Sequence, residues 1–362
     1  FHTFAQRFKQ TQISKFLPVF VFLFFFGFSF ILGSSTDSFL SPGDSLFHVR
    51  MSHGIFHPEE VLEMPVYTTQ YTNRSNLYFG YHLLMSPFVT FCAAENYACI
   101  ISGAKLFHQI IFGIVLTILF LVFRKIAKRN GLLWANHLAI VLTLLTLSSP
   151  QFLFRAIIER PLVISMLIFI LYIYFLLKRR LLIIFILSLL LPLFYSISFI
   201  LFLPAGIFLL ISLFGTREDR VFGLQEFLAT LGGIAISIIM RPDSYNYFLN
   251  SYVVHLTSLY QNILQSDQIA TIQEFQSGLS NVLEGHAWWV PIFLIICSFF
   301  LYKTLRLRGK SPEKQNLLFL NIFSLFLITL FLIIARTLEY AVPVLFVTLA
   351  FNLSFFYFKD NI

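Results

Sequence analysis

Ten apolar runs, near 16–33, 97–123, 131–148, 161–177, 181–195, 198–214, 222–240, 288–302, 315–334 and 341–358, constrain this 362-residue chain more than any other feature. Backbone groups in lipid must find partners inside their own segment, so an apolar run of roughly 17 to 25 residues reads as a membrane-crossing helix. With 58% of residues hydrophobic, only 12% charged and 47 Phe, little remains from which to build a soluble core. The pattern predicts an all-α polytopic membrane protein, one transmembrane domain over 1–362 with about ten crossings. Pro192 and Pro204 divide the block 181–214 into short runs. The first run follows Arg7, Lys9 and Lys15 and is longer than the 7 to 15 residues of a signal-peptide core, so it reads as a retained anchor. The chain opens on Phe1 and stops at Ile362 directly after an apolar run, a pattern expected of a sequence with residues missing at either end.

Threading the runs alternately from a cytoplasmic N-terminus gathers basic clusters on one side: Arg7/Lys9/Lys15, Arg124/Lys125/Lys128/Arg129, Lys178/Arg179/Arg180, Arg217/Arg220, Lys303/Arg306/Arg308/Lys310/Lys314 and Lys359. These are 18 of the 25 Lys and Arg. The positive-inside rule therefore predicts that side to be cytoplasmic. Of the 17 acids, 12 fall on the outer side: Asp37, Asp44, Glu59, Glu60, Glu63, Glu95, Glu159, Asp243, Asp267, Glu274, Glu284 and Glu339. The net charge of +8 thus reflects topology and does not indicate a nucleic-acid partner. Cys92, Cys99 and Cys297 have neither CxxC spacing nor nearby His, so neither a zinc site nor a disulfide framework is expected.

Two outside loops are long, about 34–96 and 241–287. The first opens with "SPGDSLFHVR", where Ser41 suits an N-cap, Pro42 the first helical position and Asp44 the third. His48 lies four residues on, on the same helical face as Asp44, and a carboxylate and imidazole so spaced can share a proton, a divalent metal or a phosphate. Asp37 precedes them. Later in the loop, "HPEEVLEM" and "YFGYHLLMSPFVTF" read as helices lying in the membrane interface, and Tyr67, Tyr71, Tyr78 and Tyr81 as an aromatic belt, with sugar stacking as the alternative. His53, His57 and His82 lack regular spacing to carboxylates.

Other outer turns carry charge as well. "FRAIIERPL" supplies Arg155, Glu159 and Arg160, "MRPDSYNYF" supplies Arg241, and "ARTLEYAVP" supplies Arg336, Glu339 and Tyr340. Arg155/Glu159 and Arg336/Glu339 have the spacing of ordinary helical ion pairs. Charges near membrane depth are expensive and usually face an interior or a wet cavity, so their gathering at several helix ends predicts one shared outer pocket. Guanidinium groups keep their charge and bind phosphate through two parallel bonds.

The architecture, with Asp44-x-x-x-His48 after the first helix and Arg160-Pro161 at an outer helix start, resembles the GT-C type of membrane glycosyltransferase. That resemblance implies a polyprenyl-phosphate-linked sugar as donor and a glycan, lipid or protein as acceptor. It implies inverting transfer with Asp44 as general base and His48 assisting. Arg155, Arg160, Arg241 and Arg336 would hold the donor phosphate, and Asp37, Glu159, Glu339 and Tyr340 would support them. It also implies a bacterial cytoplasmic membrane, with the site on the outer face. The first loop has no Asp-x-Asp or Glu-x-Asp pair, and Trp288-Trp289 continues into Val290 rather than Asp, so a monosaccharide transferase fits better than an oligosaccharyltransferase. Two rivals stand beside it: a polysaccharide polymerase or ligase using Arg241, His255 and His286, and a transporter or flippase of lipid-linked glycans. The second would need midplane charges and two related halves.

Overall fold

The computed structural model describes residues 2–34, 42–56, 78–92, 96–128, 132–158, 160–241, 244–254, 287–333 and 338–357. Among these, every regular element is helical. The order is α1 (His2–Ser34), α2 (Pro42–His53), α3 (Phe79–Val89), α4 (Tyr97–Ala127), α5 (Leu132–Leu147), α6 (Pro150–Ile157), α7 (Leu162–Leu177) and α8 (Leu181–Phe194). A 3-10 turn (Ser198–Leu201) then leads into α9 (Phe202–Leu213), followed by α10 (Arg217–Ile239), α11 (Ser244–Phe248) and a π turn (Leu249–Val254). The last three are α12 (Trp289–Arg306), α13 (Pro312–Ile333) and α14 (Leu338–Phe356).

Among the described residues, six stretches are long and apolar enough to cross a membrane: Ser14–Gly33, Tyr97–Ala127, Arg217–Ile239, Trp289–Arg306, Pro312–Leu332 and Glu339–Phe356. The chain is an α-helical membrane protein. Four further apolar helices, Trp134–Leu147, Leu162–Leu177, Leu181–Phe194 and Ser198–Leu213, coincide with the remaining expected runs but are shorter. At 1.5 Å per residue, a 16-residue helix such as α7 covers about 24 Å, less than a hydrocarbon core of about 30 Å. α7 is apolar on all sides and buried on nearly all of them, so protein rather than lipid surrounds it. Local signals explain the helix starts. α10 begins at a capping box between Thr216 and Asp219, and α6 at Ser149 with Pro150 in the first turn.

α4 is the mast of the bundle. Its 31 residues extend about 47 Å, and it packs against α1, α3, α5, α7 and α14. Two helix contacts bring backbones close through glycine. A Cβ on Gly233 of α10 would lie 2.6 Å from the Phe185 carbonyl oxygen of α8, and one on Gly103 of α4 would lie 2.0 Å from the Phe88 carbonyl oxygen of α3. Gly103→Ala is therefore expected to push α3 off α4 and cost about 1–3 kcal/mol, read as a lower unfolding temperature in detergent. Gly27→Ala, where nothing lies within 4 Å, is the control expected to unfold like wild type.

Polar side chains tie the helices at both ends. At one end Arg124 donates to the Ser14 carbonyl (3.1 Å), Arg179 pairs with Asp219 and donates to Gln315 (2.7 Å), and Gln315 donates to Ser212 (2.6 Å). At the other, Lys105 donates to the Gly33 carbonyl (2.9 Å), Arg241 to the Pro192 carbonyl (3.3 Å), and Ser165 meets Tyr340 (3.3 Å). Each pair joins segments that alternate threading assigns to one side. Mid-bundle, Asn321 bonds Asn352 (3.2 Å) and Ser324 bonds Thr348 (2.7 Å), giving the α13–α14 interface polar pairs in a place where lipid offers none.

The expectation of no disulfide does not hold. Cys92 and Cys99 are bonded across the turn from α3 into α4, with Cα atoms 5.7 Å apart. The reversal between two packed helices creates this proximity, which CxxC-type spacing rules do not anticipate.

Candidate functional site

α2 begins at Pro42, which fits the proline's preset φ and its missing N–H. Asp44 is therefore the third residue of a real helix, one turn before His48. Glycine at 80 and 103 lets α3 settle between α8 and α4, and this delivers His82 to α2. His48 Nδ1 and His82 Nε2 are 2.9 Å apart, and both residues are buried. One ring donates and the other accepts, so a neutral pair satisfies the bond. Burial pushes the His48 imidazole well below its usual range, with the neighbouring His82 and the Arg160 guanidinium adding to the effect. Burial alone lowers His82 to about 3.

An aromatic wall surrounds this pair. The Tyr78 and Tyr81 rings meet His48 edge-on at 5.1 and 5.4 Å, and Tyr81 also packs on Phe107 of α4. Tyr81 is fully buried, so it does not belong to an interfacial belt as the sequence suggested. A tyrosine gains more by packing its ring here than at the headgroups, because two short helices and α4 close around it. Tyr67 and Tyr71 lie outside the described residues. From Tyr78 the contacts continue to Tyr195 (6.1 Å between rings), whose carbonyl accepts from the Tyr247 hydroxyl (3.1 Å). The Arg241 guanidinium lies over the Tyr247 ring at 4.1 Å. Ser198 bonds the Tyr252 hydroxyl at 2.8 Å, and burial raises that phenol's pKa.

Arg160 is joined to His48 by its field, and directly precedes Pro161 and α7. On the first turn of α7, Ser165 meets the Tyr340 hydroxyl at 3.3 Å, and Phe169 meets the Tyr340 ring at 4.8 Å. Glu339, beside Tyr340 on α14, is 1% exposed. Thus His48, Arg160, Arg241, Glu339 and Tyr340 gather at one end of the bundle, on four separate segments. Asp37, Glu159 and Arg336 lie outside the described residues, as do "HPEEVLEM", His57, His255 and His286. Asp44 and Arg155 are placed by backbone only, in α2 and α6. The "YFGYHLLMSPFVTF" stretch forms the 11-residue α3, too short to cross a membrane, and its helix continues through Pro87.

His82 is the partner that the sequence gave no reason to choose. It is 34 residues from His48, and no local spacing encodes that pairing. Glu226, which threading counts among the cytoplasmic acids, is instead fully buried within α10, where it accepts from the Tyr172 hydroxyl and Thr230 Oγ1 lies 3.2 Å away. Among the described residues, no three His, Cys, Asp or Glu converge as a metal site would require. Comparison with protein-family models, curated proteins and solved structures finds no match for this chain.

Proposed function

We propose that this chain is a GT-C type membrane glycosyltransferase, which moves a sugar from a polyprenyl-phosphate donor to an acceptor hydroxyl at the outer face. The observation that carries the reading is the buried, neutral His48–His82 pair, one helical turn from Asp44 and within the field of Arg160. A neutral imidazole accepts and passes a proton, which a permanently charged side chain cannot do. In the proposed step the acceptor oxygen attacks the anomeric carbon from the face opposite the phosphate, and its proton passes to Asp44 with His48 assisting. The carbon–oxygen bond to the lipid phosphate breaks. The phosphate leaves with the electron pair and is stabilised by Arg160 and the other rim arginines.

Ten crossings with a cytoplasmic N-terminus belong to the same proposal. The segregation of polar pairs to two ends supports it, because every pair joins segments of one threaded side. The Cys92–Cys99 bond supports the orientation too, since disulfides persist in oxidising compartments and this one sits at the histidine end of α4.

Arginine at 160 makes the reading testable. Arg160→Ala is expected to weaken binding of a polyprenyl-phosphate sugar more than Arg160→Lys does, because lysine keeps the charge but loses the two-pronged geometry. Donor affinity measured on purified wild type and both variants checks this, and equal affinity for all three removes the phosphate role from Arg160.

A further inference from the structure

The short helix that carries His82 is fastened to the first long crossing by a covalent bond. Cys92, three residues past the end of α3, is bonded to Cys99 in the first turn of α4. The surroundings are open, with Asn96 and Tyr97 exposed and Cys99 half-buried. Close by, α3 and α4 touch through the Gly103 contact with the Phe88 carbonyl and through the Phe107 ring, which meets Tyr81 at 5.5 Å and Phe88 at 5.3 Å.

α3 has little to hold it in place by itself. Its 11 residues are fewer than an isolated helix needs to persist in water. Pro87 has no N–H, so the Leu83 carbonyl loses its helical partner, and the Ser86 hydroxyl donates to that carbonyl instead at 2.8 Å. The position of α3 is therefore set by what it touches. α2 depends on α3 in turn: it packs chiefly against α3, with a smaller contact to α4, and the His48–His82 bond joins the two. Support runs from α4 through α3 to α2, which bears Asp44 and His48, and the cysteine bond fastens the first link.

We propose that Cys92–Cys99 is a thiol–disulfide exchange site whose redox state sets how firmly α3, and with it α2, is seated on α4. The reaction partner is a dithiol. One of its thiolates attacks the sulfur of Cys99, the more exposed of the two residues, forming a mixed disulfide while Cys92 leaves as the thiolate. The second sulfur of the dithiol then attacks the mixed disulfide and releases Cys99. The dithiol ends as a disulfide, having given up two electrons, and its two protons end on Cys92 and Cys99. The bridge closes a sequence separation of only 7, so it constrains the unfolded chain less than a long-range bridge would. Its effect is local: opening it leaves the bundle folded and frees the C-terminal end of α3. The inference does not depend on the glycosyltransferase reading.

The test uses the full chain in detergent, treated with dithiothreitol. Thiols are counted by alkylation and peptide mass spectrometry, and backbone protection is followed by hydrogen–deuterium exchange. Cys92 and Cys99 are expected to become alkylated while Cys297, buried in α12, stays unmodified and reports that the bundle is still folded. Amides of α2 and α3 are then expected to exchange about tenfold or more faster, as a helix that has lost an anchor opens locally, while those of α13 and α14 exchange as before. Cys92→Ser/Cys99→Ser is expected to show the same local pattern without dithiothreitol and not to respond to it; should that variant fail to fold, the reduced wild type decides alone. A bridge that opens only when Cys297 reacts too, or unchanged exchange in α2 and α3 after reduction, overturns the inference. Protection lost evenly over all helices overturns it as well, since the bond would then be a general staple.

Discussion

Purified Asp44→Asn is expected to lose sugar transfer by about 10²- to 10⁴-fold while its stability stays within about 1 kcal/mol of wild type. Asparagine remains a serviceable polar group in a first helical turn, and α2 still starts at Pro42 with its preset φ. What asparagine lacks is a carboxylate that can take the acceptor's proton. The two roles available to Asp44, helix start and general base, therefore separate in one variant. Thermal unfolding and transfer measured on the same preparation decide between them. Near-normal turnover would leave Asp44 as a helix-start residue and move the search for the base to the histidine pair.

Acidification is expected to destabilise the wild-type protein through that pair. The sign follows from proton counts: both imidazoles have folded-state pKa values below the unfolded 6.5, so the unfolded chain binds protons that the native chain excludes. Stability is full above pH 6.5 and falls as pH drops through 6.5 toward the folded values. With a folded pKa of about 3, His82 alone accounts for a loss of about 2 kcal/mol between pH 7 and pH 5, and His48 acts in the same direction. Replacing both histidines with glutamine removes the titration. The unfolding temperature of the double variant in detergent is expected to change much less over that interval than that of wild type. Parallel pH profiles would mean that water reaches the pair, contrary to its burial.

Much of the helical framework was legible because its cause is local. A long apolar run such as 97–123 has one way to satisfy its backbone in lipid, and α4 follows it from Tyr97 to Ala127. Proline at 42 likewise acts within a turn of itself, so α2 starts where the sequence places it, whereas the equally local starts of α6 at Pro150 and of α10 at the Thr216/Asp219 pair were not among the expectations. Run lengths were less informative for 161–177 and 181–195. A short helix shielded by neighbours needs no lipid-matched length, and hydropathy cannot tell lipid from protein surroundings.

The site was legible only in part. His48 stood out through its spacing to Asp44, and Arg160 through the proline that follows it, since both signals span a single helical turn. His82 and Tyr81 did not, because their value comes from α3 being lodged between α4 and α8 at Gly103 and Gly80. The cysteine bridge and the burial of Glu226 against Tyr172 were hidden for the same reason. Sequence by itself determined which segments are helical, where several begin, and which ends carry basic charge, since each depends on hydrophobicity and capping within a few residues. Tertiary structure alone decided that two histidines 34 residues apart share a hydrogen bond and that the Phe107 ring meets both Tyr81 and Phe88. Those groups meet through helix-to-helix packing, whose close approaches depend on complementary shapes from distant segments and leave no periodic trace along the chain.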